Sequence, residues 1–254
     1  MSDTTPLYVV ALCGFHDLVE HLVNKCSQEV NVIGGFYVSP LVAALEMKHF
    51  EVAELLYQHG SHVDVQGHIK RTPLFVASDR GHVGIVRWLL RHDADPNPRG
   101  EFDGWTALHG AARCGYLEVA RTLLQHNADP NIEDRDGEIP LHVASQHGKT
   151  NVARLLLEDG VDVNAQRKDG STSLHLASRV GWLEVARLLI EHGADIGAED
   201  NEGMASCCQT MNQMREYSII LFTRRQSVPP LRLSSVLGYG MPLDLCPETI
   251  IIAL

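Results

Sequence analysis

Basic residues are scarce: the 254-residue chain has 21 Lys and Arg against 32 Asp and Glu, a formal charge of −11 at pH 7. Phosphate backbones and anionic lipid headgroups are held by clustered cations, and no block of them occurs, which argues against nucleic-acid or membrane-surface binding. No apolar run approaches the ~20 residues of a spanning helix, so no membrane insertion is expected. The opening MSDTTPLYVV puts an acid before a short apolar stretch and does not read as a signal or transit peptide. The six cysteines (Cys13, Cys26, Cys114, Cys207, Cys208, Cys246) are irregularly spaced without a C-x-x-C, as expected of reduced thiols in a cytosolic or nuclear protein. Aromatics make up only 6%, yet 44% of the residues are apolar, too many for a wholly disordered chain.

What is abundant is self-similarity. Six segments align: TPLYVVALCGF from Thr5, SPLVAALEMKH from Ser39, TPLFVASDRGH from Thr72, TALHGAARCGY from Thr106, IPLHVASQHGK from Ile139 and TSLHLASRVGW from Thr172. Their starts are 34, 33, 34, 33 and 33 residues apart. A Thr or Ser supplies a helix N-cap hydroxyl, and Pro6, Pro40, Pro73 and Pro140 follow at the first helical position, where no N–H is required. Gly14, Gly81, Gly115, Gly148 and Gly181 stop that short helix. A second helix follows with apolar spacing i, i+3, i+4, as in Val52/Leu55/Leu56 and Val152/Leu155/Leu156, ending at Gly60, Asp93, Asn127, Gly160 and Gly193. A turn with Gly104, Gly137, Gly170 or Gly203 near its tip leads to the next repeat.

The period, the T-P-L-H-x-A segment, the Gly stop and the V-x-x-L-L and G-A-D endings resemble the ankyrin repeat. The resemblance covers residues 1–204 and implies an all-α solenoid with short β-hairpin loops, stabilised by stacking between neighbours. It also implies that His109, His142 and His175 hydrogen-bond backbone and the adjacent Thr. The helix-end histidines His59, His92, His126 and His192 sit where a cation complements the helix dipole.

The pattern weakens at both ends. Repeat one has Tyr8 in the His slot, repeat two has Lys48 in place of the stopping Gly and GGFYV (Gly34–Val38) for its hairpin, and the loop Pro98–Trp105 is one residue longer than its neighbours. Residues 1–204 hold 17 basic and 29 acidic residues, net −12, whereas residues 205–254 are net +1. The latter segment is expected to be a degenerate capping repeat, over about 205–225, followed by an irregular tail beyond Val228-Pro229-Pro230.

Sites with apparent chemistry fail at required positions. Gly148-Lys149-Thr150 ends like a phosphate-binding loop, but the leading Gly would be Val143. Asp134 and Asp136 before Gly137 echo a calcium loop whose first and last ligands would be Ile132 and Val143. Cys114 beside Arg113 could be a tuned thiolate, but an inert small side chain is the favoured reading. No catalytic residue, cofactor or metal is expected.

The leading reading is therefore a non-catalytic, monomeric protein-interaction module, with its concave wall turned to a protein partner. A targeting or regulatory part of an enzyme or signalling assembly, and a remnant without a partner, stay open. Carried over repeat by repeat, the resemblance implies contacts through hairpin tips and the exposed face of the first helix: Phe36, Val38, Met47, Ile69, Arg71, Arg80, Phe102, Trp105, Arg113, Arg135, His147, Lys168 and Arg179. Trp105 is expected beside Phe102 and near Arg71 and Arg113, either as an interface hot spot or packed over the adjacent hairpin.

Overall fold

The computed structural model describes residues 5–25, 29–32, 34, 39–65 and 71–206. Among these residues the chain forms helix pairs, repeated six times. The first helices are α1 (Pro6–Cys13), α3 (Pro40–Glu46), α5 (Pro73–Asp79), α7 (Ala107–Cys114), α9 (Pro140–Gln146) and α11 (Ser173–Val180). The second helices are α2 (His16–Asn24), α4 (Phe50–Gln58), α6 (Val83–Arg91), α8 (Leu117–Gln125), α10 (Thr150–Glu158) and α12 (Leu183–Glu191). First helices pack on first helices and second on second, in two parallel layers.

The expected caps form. Thr5, Ser39 and Thr72 accept the N–H three residues on at 3.3, 3.3 and 3.2 Å, with Pro at the first helical position. The stop after the first helix takes a left-handed conformation at Gly115 (φ 82) and, in repeat two, at Lys48 (φ 63). A lysine there bears a steric cost that glycine avoids. Asp93 (φ 61) and Asn127 (φ 64) end their second helices in the same way.

One apolar core runs from Leu7 to Ala194. Its seam is the Leu of each first helix (Leu7, Leu41, Leu74, Leu108, Leu141, Leu174) with Leu56, Leu89, Leu123 and Leu156 from the second helices, all essentially without solvent contact. The i, i+3, i+4 stripe is narrower than the sequence suggested at two places, since Leu55 and Leu155 are only half-buried.

Polar ties link this core to the loops. Thr106 N–H donates to His109 Nδ1 at 3.1 Å, so Nε2 carries the proton and donates to the Glu138 carbonyl at 2.9 Å. His142 and His175 repeat the arrangement toward Ala165 and Met204, at 2.9 and 3.0 Å. In repeat five Ile139 has no hydroxyl to offer, so only its N–H engages His142, at 3.1 Å. Burial lowers the pKa of His109 and takes that of His142 down to about 4, which fixes them as neutral donors and acceptors.

The helix-end histidines adopt the opposite tautomer. Their Nδ1–H donates to the carbonyl four residues back, at 2.7 Å for His59 and His92, 2.9 Å for His126 and 2.8 Å for His192. A neutral ring suffices to satisfy these last-turn carbonyls, so a hydrogen bond does what charge was expected to do.

On the opposite edge, the loops after the second helices are linked by asparagines. Asn97 donates to the Asn127 carbonyl at 3.1 Å and accepts the Asp129 N–H at 2.8 Å. Asn31 and Asn164 do the same to the next repeat. Repeat two has Asp64 at this position. Its Oδ2 accepts the Asp95 N–H at 3.2 Å, while its buried Oδ1 has no partner, and burial raises its pKa.

The hairpins are pinned by carboxylates more than by strand pairing. Asp134 Oδ1 accepts the N–H groups of Asp136 and Glu138, both at 2.8 Å, Asp200 Oδ1 accepts those of Glu202 and Met204 in the same way, and Asp169 Oδ1 accepts that of Ser171. Among the described residues the loops contain two isolated bridge pairings, Gln166 with Thr172 and Glu199 with Ala205. The proposed capping repeat and tail lie outside the described residues, apart from Ala205 and Ser206. The Ser206 N–H closes back on the Ala198 carbonyl at 3.0 Å.

The junction between the second and third pairs is the most open. Neither α3 against α5 nor α4 against α6 packs as closely as the other consecutive helices of its layer. Val42 and Phe75 occupy the His slot in these repeats, so the polar tie from first helix to following hairpin is absent there.

Candidate partner-binding face

The hairpins and first helices share one face of the array. Phe36, Val38 and Ile69 lie outside the described residues. Of the others, Phe102 is 68% exposed at a hairpin tip and Met47 is 40% exposed at the end of α3. Arg179, in the last turn of α11, is also exposed.

The remaining arginines on this face bond to the array itself. Arg80 pairs with Glu46 at 2.8 Å and Arg113 with Asp79 at 2.6 Å, each one repeat back. Arg71 pairs with Asp103 one repeat forward, and its guanidinium lies 3.8 Å over the Phe75 ring. The second nitrogen, Nη1, is buried without a hydrogen-bond partner. Arg135 donates to the Glu101 carbonyl and Lys168 to the Arg135 carbonyl. His147 caps its own helix through the Val143 carbonyl at 3.0 Å. A partner would meet cations whose charge is already partly compensated.

Trp105 is brought together with Arg71 and Phe75 around a small recess, and the Arg113 guanidinium is 5.7 Å from its ring. Its indole is half-buried, stacked near His109 at 5.9 Å between ring centres, and donates from Nε1 to Asp134 Oδ2 at 2.9 Å. The polar edge of the tryptophan thus serves the next hairpin.

Sequence reasoning missed the acidic partners Glu46, Asp79, Asp103 and Asp134. The signal was available for two of them: Glu46 with Arg80 and Asp79 with Arg113 are opposite charges 34 residues apart. It also missed exposed rings on the inter-helix turns. Tyr116 lies over Gly81 and Trp182 over Gly148, with the Trp182 indole N–H bonded to the Gln146 carbonyl at 2.9 Å. A side chain at either glycine would collide with the ring as well as strain the left-handed backbone.

The chemical candidates resolve into structure. Gly148-Lys149-Thr150 is the turn between α9 and α10, and Asp134 is the hairpin clasp described above. Burial and the neighbouring Asp79 raise the Cys114 thiol, and its Sγ points to the Asp79 carbonyl at 3.4 Å, the opposite of a tuned thiolate.

Paired helices tied to their neighbours at a period of about 33 residues define a helical repeat solenoid. A family model for ankyrin repeats in three copies matches residues 64–134 and 127–200, over half of the chain, which belongs to the ankyrin-repeat family. The ankyrin repeat protein nuc-2 of Neurospora crassa is 29% identical over 89 residues, 35% of this chain and 8% of that protein. Alpha-latrocrustotoxin-Lt1a of Latrodectus tredecimguttatus is 29% identical over 106 residues, 41% of this chain and 7% of the toxin. The match thus spans less than a tenth of either curated relative. Among solved structures, the ankyrin repeat domain of Bcl-3, a member of the IkappaB protein family, aligns with a TM-score of 0.74 at 28% identity, over 81% of this chain and 93% of that chain. Ankyrin arrays are in general protein-interaction modules and typically non-catalytic. No helix among the described residues is long and apolar enough to cross a membrane.

Proposed function

We propose that this array binds a protein partner, without catalysis, on its hairpin and first-helix face. The observation that carries the reading is Phe102, a large ring 68% exposed at a hairpin tip. An exposed aromatic beside arginines is the composition of an interface anchor. Met47 and Arg179 extend the surface along the stack, and the paired Arg80 and Arg113 supply a polar rim. In this reading the chain is a cytosolic or nuclear monomer, with residues 205–254 as a separate capping segment and tail.

A second reading is supported by the lengths of the relatives, in which the matching stretch is a small part of a long chain. Here the array is the targeting or regulatory part of a larger enzyme or signalling assembly. Both are tested by placing a photo-crosslinking residue at Phe102, at Met47 or, on the opposite layer, at Glu184. A single partner captured from Phe102 and Met47 supports the module, and a catalytic subunit captured there supports the adaptor reading. Capture from Glu184 alone overturns the assigned face.

A further inference from the structure

The open junction between repeats two and three carries a second surface, on the second-helix layer. The fourth residue of each second helix is buried throughout, but the second residue varies. In α2, α4, α8 and α12 it is Asp17, Glu51, Glu118 and Glu184, and in α6 it is Gly84. A side chain built at Gly84 would meet Phe50 of α4 at 3.7 Å, so this glycine leaves room beside the Phe50 ring. Further along, Tyr57 and Trp88 meet edge to face at 5.9 Å, and Trp88 stacks on His92 at 3.9 Å. These rings occupy the space in which aliphatic side chains would let α4 and α6 close.

The result is an open groove of about 400 Å³, lined by Phe50, Leu55 and Trp88 and by the carboxylates of Glu51 and Glu54. Among the described residues no lysine or arginine lines it. Glu54 has one neutral donor, Gln58, at 3.3 Å from its Oε1; His92 Nε2 lies 3.0 Å from its Oε2 and, with Nδ1–H given to the Trp88 carbonyl, forms an ion pair there only when the ring is protonated. Glu51 is exposed at the edge. His16, at the start of α2, completes the lining and faces Asp17 at 3.6 Å.

Aromatic walls with carboxylates at the lip suit one type of side chain above others. An arginine lays its methylene stem on Leu55 and its flat guanidinium against a ring, and its paired N–H groups match a carboxylate. A purely apolar side chain would leave Glu51 and Glu54 desolvated without compensation, and an acidic one would be repelled. We infer that this groove is a docking site for an arginine of a basic partner segment, distinct from the hairpin and first-helix face.

The test uses the whole chain and a short fluorescent peptide of alternating Arg and Gly, with a Glu–Gly peptide of equal length as control. Anisotropy should show binding of the Arg peptide alone, and the indole resonance of Trp88 should shift while those of Trp105 and Trp182 stay in place. Because a chain of net charge −11 attracts cations generally, site variants decide the matter. Glu51→Gln with Glu54→Gln should weaken binding by roughly tenfold or more, whereas Glu118→Gln with Glu184→Gln, on the same layer, should not. Gly84→Lys should also remove binding, by filling the groove with a cation of its own. That variant cannot be dismissed as unfolded, because lysine is the better helix former and its melting temperature should not fall. Failure of the Arg peptide to bind, or equal binding by Gly84→Lys, or an equal loss from the control pair, overturns the proposal.

Discussion

Replacing Asp64 by asparagine should stabilise the protein. At the equivalent loop position Asn31, Asn97 and Asn164 each accept an N–H from the next repeat and donate to a carbonyl there. Register places the Asp93 carbonyl opposite Asp64, which keeps the acceptor half of this pattern through Oδ2 and leaves Oδ1 buried without a partner. An unsatisfied buried polar atom costs about 1–3 kcal/mol. Since Asp64 is only partly shielded from solvent, the lower end applies, and Asp64→Asn should gain about 1 kcal/mol near neutral pH. In an array of this size that is a rise of about 2–4 °C in melting temperature. The pH dependence is diagnostic. Burial raises the folded-state pKa of Asp64, so the protonated carboxyl is the better tolerated form, and it can donate as the asparagine does. The wild type recovers this stability at low pH and loses it as pH rises through the folded pKa. The advantage of Asp64→Asn should therefore be largest near neutrality and shrink in acid. Thermal melts of both proteins across that range measure it. No gain at neutral pH, or a gain that does not change with pH, refutes the reasoning.

Acidification should destabilise the array as a whole: the folded-state pKa of His142 lies at about 4, below its ordinary value of 6.5, so stability is present above 6.5 and lost as pH falls between the two. Its share is roughly 3 kcal/mol, His109 acts in the same direction, and melts of His142→Gln should be flatter over that window. Leu156→Ala, at a side chain with no solvent contact, should cost about 2–5 kcal/mol in chemical denaturation, and Leu155→Ala, half-buried, clearly less. Trp105→Phe should cost about 1 kcal/mol by losing the indole bond to Asp134, so a Trp105→Ala that leaves the melting temperature unchanged would contradict its scaffold role. With a maleimide at neutral pH and peptide mapping by mass spectrometry, the exposed Cys13 should be labelled well before Cys114, whose thiol is raised by burial and Asp79.

The features legible in the sequence are those a single residue decides. A Thr at an N-cap, a Pro after it and a residue tolerant of left-handed backbone each dictate their own local conformation, and the structure has them at the expected places, including Asp93 and Asn127. What escaped depends on two residues in different repeats. Arg80 and Arg113 were placed on the first-helix face, but their bonds to Glu46 and Asp79 exist only once two first helices are stacked in register. Trp105 was expected near Arg71 and Arg113, where it is, yet its indole bond to Asp134 crosses to the next hairpin. Leu155 carries the helical spacing of a core residue, yet it packs against the core only half-buried. Gly84 breaks no sequence pattern, and only the position of Phe50 across from it gives its small size a consequence.

The bonds between neighbours also set what the chain can survive by loss or duplication of whole units. Excising residues 106–138 would bring Ile139 to the place of Thr106, and the main chain could close with the same turns, since both begin a first helix in the same register. The side chains would not follow. Asp79 would face Gln146 in place of Arg113, and the Trp105 indole N–H would meet Arg167 in place of Asp134. A donor would be set against a donor, and a carboxylate would lose its counter-charge. The backbone treats the six units as interchangeable, while the charged and aromatic side chains give each one a fixed address in the order of the stack.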